Sequence, residues 1–81
     1  MSEQDDDNAQ NLKKIFGENV KYYREEEGIE QSELAHDADC SVTYISEIEN
    51  GKANPSLGKM EGISKALNKE VPYMLQKHTH K

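Results

Sequence analysis

The chain has 81 residues, a formal net charge of −6 and only 33% hydrophobic residues, with no tryptophan. A chain of this length is expected to form one small domain with a modest core. It has no apolar run long enough for a membrane span and no basic-then-apolar start of the kind that directs secretion. Its single cysteine, Cys40, cannot form an internal disulfide. We therefore expect a cytoplasmic protein in which this thiol is a packing residue rather than a nucleophile.

The first part of the chain divides into a polar arm and a long helix. Residues 1–10 are acidic and carry almost nothing apolar, which predicts a disordered arm. From residue 11 to residue 27 the apolar residues recur at helical spacing, at Leu12, Ile15, Phe16, Val20 and Tyr23. Gly28 is a natural terminator for this helix. Gly17 lies inside the pattern, where glycine costs about 1 kcal/mol relative to alanine.

Two short amphipathic patterns follow, separated by a break of three residues. Residues 31–38 present Leu34, Ala35 and Ala38 to one face, and residues 42–50 present Ile45 and Ile48. This spacing marks helices that pack one face on a core.

The break between these two helices has the composition of a tight turn. Asp39 tolerates a left-handed backbone better than most residues other than glycine. Ser41 is a good N-cap for the helix that follows it. Two helices joined at a steep angle across so short a turn form a helix-turn-helix, whose second helix can enter the major groove of DNA.

The remainder of the chain predicts two further helices. Residues 51–55 are rich in turn formers, and Ser56 is placed to cap a fourth helix. The apolar face of that helix consists of Leu57, Met60, Ile63, Ala66 and Leu67. Pro72 favours the first turn of a short fifth helix, and residues 77–81 are expected to be a frayed tail. The prediction is an all-α, compact five-helix domain over residues 11–76.

Several ordered groups of residues carry a resemblance to a known family. They are Phe16-Gly17-x-x-Val20-x-x-Tyr23-Arg24, Gly28-Ile29-x-Gln31-x-x-Leu34-Ala35, Ile45-Ser46-x-Ile48-Glu49-Asn50-Gly51-Lys52 and Asn54-Pro55-Ser56-Leu57. In these residues the chain resembles the lambda-repressor-like, Cro/Xre-type helix-turn-helix family over about residues 15–75. The resemblance implies a sequence-specific, repressor-like transcriptional regulator that binds double-stranded DNA as a homodimer.

The same resemblance places contacts to DNA bases on the third helix, at Val42, Thr43, Tyr44, Ser46 and Glu47. Val42 can pack against a thymine methyl group, whereas Thr43 and Ser46 can bond either a base or a phosphate. An ionised Glu47 only accepts hydrogen bonds, so its natural base partner is the cytosine amino group. An acid at this position either selects half-sites that contain cytosine or indicates that this helix does not contact DNA.

Other residues are expected, by resemblance, to position the motif. Gln31 is expected to contact a phosphate and to buttress the motif, and the candidate phosphate contacts after the third helix are Asn50, Lys52 and Asn54. Arg24 is expected to pair with Glu49 and so to tie the motif to its scaffold. From the residues themselves, Tyr73, Met74 and Leu75 are expected to form the dimer interface, because one short element cannot bury all three.

The charge distribution leaves a second interpretation open. Residues 1–49 carry 14 acids and 4 bases, a net charge of −10, whereas residues 50–81 carry 2 acids and 6 lysines, a net charge of +4. The alternative to a DNA-binding regulator is a protein-interaction module, or an antitoxin-like partner of another protein, with weak or no affinity for DNA. An enzyme is not expected, and neither is a cofactor or a metal, because the histidines of the tail, His78 and His80, have no rigid setting.

Overall fold

The computed structural model describes residues 3–80, with side chains from residue 11 onward, and this part of the chain is entirely helical and irregular, without strands. Its five helices are α1 (Glu3–Glu26), α2 (Gln31–Asp37), α3 (Val42–Glu49), α4 (Leu57–Ala66) and α5 (Val71–Met74). The predicted all-α, five-helix architecture is therefore confirmed. None of these helices combines the length and hydropathy that a membrane crossing requires.

Helix α1 begins earlier than predicted. It starts at Glu3 rather than near Asn11, so it includes most of the segment expected to be a disordered arm. The prediction of a disordered arm rested on the lack of apolar residues in this segment. The segment is also rich in acids, and acids are favoured at the amino end of a helix. Met1 and Ser2 lie outside the described residues. At the other end α1 stops at Glu26, close to Gly28, whose φ of +69° glycine adopts readily.

One hydrophobic core joins all five helices. Helix α1 packs against α3 and α5, α2 packs against α3 and α4, and α4 packs against α5. The buried apolar side chains are Phe16, Val20, Leu34, Ala35, Ala38, Ile45, Ile48, Ile63, Leu67 and Met74. Every apolar stripe predicted from the sequence contributes residues to this list. The apolar faces of the amphipathic helices therefore pack together in one core.

The predicted caps and the left-handed turn residue are present. Ser41 Oγ accepts a hydrogen bond from Tyr44 N at 3.1 Å, and Ser56 Oγ accepts one from Lys59 N at 3.2 Å. Each of these bonds satisfies an amide that would otherwise be unpaired in the first turn of its helix. Asp39 has a φ of +57°.

A buried asparagine fastens the carboxyl end of the domain to α1. Asn19 is 1% exposed, and its Nδ2 donates to Met74 O at 2.8 Å and to Gln76 O at 2.9 Å. Met74 itself is fully buried in the core. The expectation that Met74 lies at a dimer interface is therefore wrong, because its side chain completes the hydrophobic core of its own chain.

The tail also differs from the expected frayed end. His80 stacks on Tyr22 with ring centroids 3.8 Å apart, and His78 Nε2 lies 2.9 Å from Tyr73 O. These contacts place residues 77–80 against α1 and α5, because aromatic surface on both helices offers the histidine rings a partner. Lys81 lies outside the described residues.

A hydrogen bond between two tyrosines near this tail leads to a prediction about titration. The hydroxyls of Tyr23 and Tyr73 are 2.8 Å apart, and this hydrogen bond is the main reason that the pKa of Tyr23 is raised from 10.0 to about 12. A raised pKa means that Tyr23 contributes stability below pH 10 which is lost as the pH rises from about 10 to about 12. Tyr73→Phe should lower the pKa of Tyr23 towards 10, as followed by the ultraviolet absorbance of tyrosinate. Tyr44→Phe, on α3, should leave the pKa of Tyr23 unchanged.

Candidate nucleic-acid interface

The turn between α2 and α3 is held by hydrogen bonds on both sides. Cys40 N donates to Ala35 O at 2.9 Å, and Lys59 Nζ of α4 donates to Asp39 O at 2.9 Å. The ammonium group of Lys59 thus satisfies a turn carbonyl. Cys40 is half-buried, and burial raises the pKa of its thiol, which fits a packing residue rather than a nucleophile.

Helix α3 has two chemically different faces. Ile45 and Ile48 are 0% and 1% exposed and fix its inner face to the core. On the outer side Val42 is 45% exposed, and Thr43 and Glu47 are also exposed. Tyr44 and Ser46, predicted with them, are half-buried at the margins of this outer face. The outer face therefore combines an aliphatic group, a hydroxyl and a carboxylate, all capable of contacting base edges.

Glu49 is the point at which three elements are joined. Arg24 of α1 donates from Nε to Glu49 Oε2 at 2.6 Å and from Nη2 to Oε1 at 3.1 Å. Gln31 of α2 donates from Nε2 to Glu49 Oε1 at 2.9 Å. Arg24 Nη1 also donates to Ile29 O at 2.9 Å. The structure thus brings together the predicted pair of Arg24 and Glu49, and the hydrogen bond to Glu49 raises the pKa of Arg24.

Gln31 therefore has a structural partner of its own. Its amide nitrogen is committed to Glu49, and its side chain is half-buried at the start of α2. Of the two roles expected for Gln31, the structure shows contacts for the buttressing one. The resulting network holds α2 and α3 at a fixed angle to α1, since charge-assisted bonds of this kind are short and directional.

Gly17 is a residue whose importance sequence reasoning missed. A methyl group at this position would overlap the carbonyl oxygen of Ile48 and would lie 3.1 Å from its carbonyl carbon. Glycine is thus required because α1 crosses the backbone of α3 without any side chain between them. A glycine inside an otherwise helical pattern was the available signal, but its partner 31 residues away was not visible from the sequence.

The segment after α3, residues 50–56, is termed the α3–α4 loop. It folds back on α3, since Lys52 N and Ala53 N both donate to Glu47 O, at 2.8 and 3.2 Å. Asn50, Lys52 and Asn54 are exposed on this loop. Asn50, the C-cap of α3, and Lys52 therefore lie at the carboxyl end of α3, whereas Asn54 lines a groove together with Lys13 of α1.

Among the residues with described side chains, no group of three or more histidine, cysteine or acidic residues is arranged to hold a metal ion.

Comparison with known proteins identifies the family. A helix-turn-helix family model matches residues 20–74, which contain α2, α3 and the network around Glu49. The chain belongs to the Cro/C1-type helix-turn-helix family. It is a DNA-binding transcriptional regulator and not an enzyme.

Individual relatives agree with this assignment. The control protein C.BamHI of Bacillus amyloliquefaciens is 43% identical over 58 residues, which are 70% of this chain and 72% of that protein. The transcriptional regulator SinR of Bacillus subtilis is 39% identical over 66 residues, 79% of this chain and 60% of that regulator. The crystal structure of the restriction-modification controller protein C.AhdI from Aeromonas hydrophila superposes with a TM-score of 0.73 at 26% identity, and covers 76% of this chain and 94% of the controller.

Proposed function

We propose that this regulator binds a specific operator as a two-fold dimer, with α3 in the major groove of each half-site. The observation that carries the proposal is the outer face of α3. A capped helix of eight residues keeps its apolar face in the core while Val42, Thr43 and Glu47 face solvent. Such an arrangement suits a helix whose first turns contact base edges.

The exposed groups of α3, together with the half-buried Ser46 at their margin, suggest individual roles. Val42 would pack against a thymine methyl group, and Thr43 and Ser46 would donate to or accept from a base or phosphate. Glu47 would accept a hydrogen bond from a cytosine amino group, since an ionised carboxylate has no proton to donate. The carboxylate would also exclude guanine and phosphate from this position, so we assign sequence discrimination mainly to Glu47.

The α3–α4 loop would fix the position of the motif on the duplex. Asn50 and Asn54 offer amide donors and Lys52 an ammonium group, and all three residues are exposed on this loop. Contacts of this type orient a protein without distinguishing sequences. Because the net charge of the chain is −6, we expect a modest electrostatic contribution and weak binding at physiological salt.

A dimer is proposed because one such motif contacts few base pairs. Two-fold related motifs bind half-sites about 34 Å apart. With Met74 in the core, two of the three residues expected at the interface remain available, namely Tyr73, which is 40% exposed, and Leu75, which is half-buried. Leu75 lines a shallow groove together with Leu12, which is 46% exposed, so the two leucines extend this apolar surface onto α1.

Selection of bound sequences from a random pool of duplexes tests this function. We expect two inverted half-sites, each containing a cytosine at one invariant position. Glu47→Gln should change that position from cytosine to adenine, because glutamine bonds adenine through both its amide atoms. Glu61→Gln, an exposed acid of α4 that carries the same change of charge, should leave the selected sequence unaltered.

Two results would count against the proposal. Retention of no fragment of mixed genomic DNA, even at about 50 mM salt, would favour the protein-interaction module instead. Recovery of a single half-site, with no inverted partner, would exclude the two-fold dimer on DNA.

A further inference from the structure

The middle of α1, at Lys13 and Lys14, lies beside the α3–α4 loop. A methyl group placed on Gly51 would lie 3.7 Å from Lys14 Cα and 3.9 Å from Lys14 Cβ. Lys13 lines the groove of about 200 Å³ that Asn54 and Pro55 of the loop also line. Two adjacent lysines of α1 therefore flank the loop that carries the expected phosphate contacts.

Basic residues are scarce in the first 49 residues of the chain, so the position of Lys13 and Lys14 beside the loop is notable. Residues 1–49 contain only four basic residues, Lys13, Lys14, Lys21 and Arg24. Arg24 is engaged by Glu49, and two of the remaining three lie beside the α3–α4 loop. Lys14 is exposed and Lys13 is half-buried along its stem, so each can extend its ammonium group into solvent.

We propose that Lys13 and Lys14 bind DNA phosphates adjacent to those bound by the α3–α4 loop. This inference rests on the proposed function, because it assigns further contacts to the same DNA surface. Together with Lys52, the two lysines would offer three positive charges at the α3–α4 loop in a chain whose net charge is −6. Lysine suits this role because a phosphate backbone offers closely spaced charges and a flexible ammonium group needs no fixed geometry.

A salt titration of DNA binding tests the assignment. The variant Lys13→Gln with Lys14→Gln is compared with the parent protein on the selected operator and on a duplex of scrambled sequence, by fluorescence anisotropy. Each lost phosphate contact should reduce the slope of log affinity against log salt by about 0.9, so the double variant should be shallower by about 2. Affinity for the operator and for the scrambled duplex should fall by the same factor, since phosphate contacts do not distinguish sequences.

Matched variants distinguish a local role of Lys13 and Lys14 from the effect of changing the net charge of the protein. Lys65→Gln with Lys77→Gln makes the same change of net charge on α4 and the tail, and should keep the slope of the parent. Lys13→Arg with Lys14→Arg should also keep the slope of the parent, because arginine retains the positive charge. Thermal unfolding of every variant verifies the fold.

The possible failures are distinguishable. If the parent binds DNA but the Lys13 and Lys14 variant has an unchanged slope, or only the same change as the Lys65 and Lys77 variant, the lysine assignment is wrong while the proposed function stands. If the parent binds no DNA, the proposed function fails, and the assignment fails with it.

Discussion

Arg24→Ala is expected to lower the free energy of unfolding by about 3–5 kcal/mol, far more than the 0 to about 1 kcal/mol typical of a surface ion pair. The side chain of Glu49 is only 2% exposed and that of Arg24 11% exposed, so removal of the guanidinium leaves a carboxylate buried without its charged partner. Gln31 would still donate one hydrogen bond, but an amide cannot replace the positive charge. Denaturant unfolding followed by circular dichroism measures the loss.

Two comparisons make this prediction specific. Glu25 lies 3.9 Å from Arg24, but its side chain is 58% exposed, so Glu25→Ala should change stability by less than about 0.5 kcal/mol. Replacement of both partners, Arg24→Met with Glu49→Leu, should recover much of the loss, because apolar groups leave no buried charge behind. If Arg24→Ala unfolds at the same denaturant concentration as the parent, the ion pair does not hold the motif to α1.

We expect the network to couple stability to DNA binding as well. Glu49 ends α3, Gln31 begins α2 and Arg24 lies near the end of α1, so their hydrogen bonds set the angle of the proposed DNA-contacting helix. A variant that remains folded without this network should hold α3 less firmly. We therefore place Arg24 and Glu49 among the residues that position the interface rather than among those that contact DNA.

The parts of this fold that could be predicted from sequence depend on local signals. Ser41 and Ser56 cap the helices that follow them, and Asp39 adopts the left-handed backbone, because each conformation is decided within a few residues. The apolar stripes of α2 and α3 were predictable for the same reason, whereas Leu57, predicted on the apolar face of α4, is 63% exposed because it lies in the first turn, at the edge of the core. The pairing of Arg24 with Glu49 was expected only through resemblance to a family, since 25 residues separate the two.

The parts that could not be predicted depend on contacts between distant segments. Asn19 is an ordinary polar residue in the sequence, yet in the fold it bonds two carbonyl oxygens more than 50 residues away. Met74 looked available to a second subunit because α5 is short, but the cavity that receives it is built by other helices. Among the expected interface residues, Tyr44 and Ser46 are partly covered for a similar reason, since their exposure depends on how α3 is seated.

Gly17→Ala is expected to destabilise the protein by about 1–3 kcal/mol, although helix propensity alone predicts a gain of about 1 kcal/mol from the same change. The added methyl group would overlap the carbonyl oxygen of Ile48, and the backbone of α3 cannot yield without disturbing the buried Ile45 and Ile48. Because α1 and α3 must separate to admit it, DNA binding should weaken along with stability. Thermal unfolding and operator binding measure the two effects.

Gly62→Ala provides the matched control, because it makes the same substitution inside α4. There the methyl group would lie 3.7 Å from Ala38 O, an ordinary contact distance, so helix propensity should prevail and stability should rise by up to about 1 kcal/mol. Opposite signs for the two variants would show that the close approach of α1 to α3, and not glycine chemistry in general, decides the result. Equal gains in both would mean that α3 can move away from α1 at little cost, and the rigid seating proposed for α3 would then be wrong.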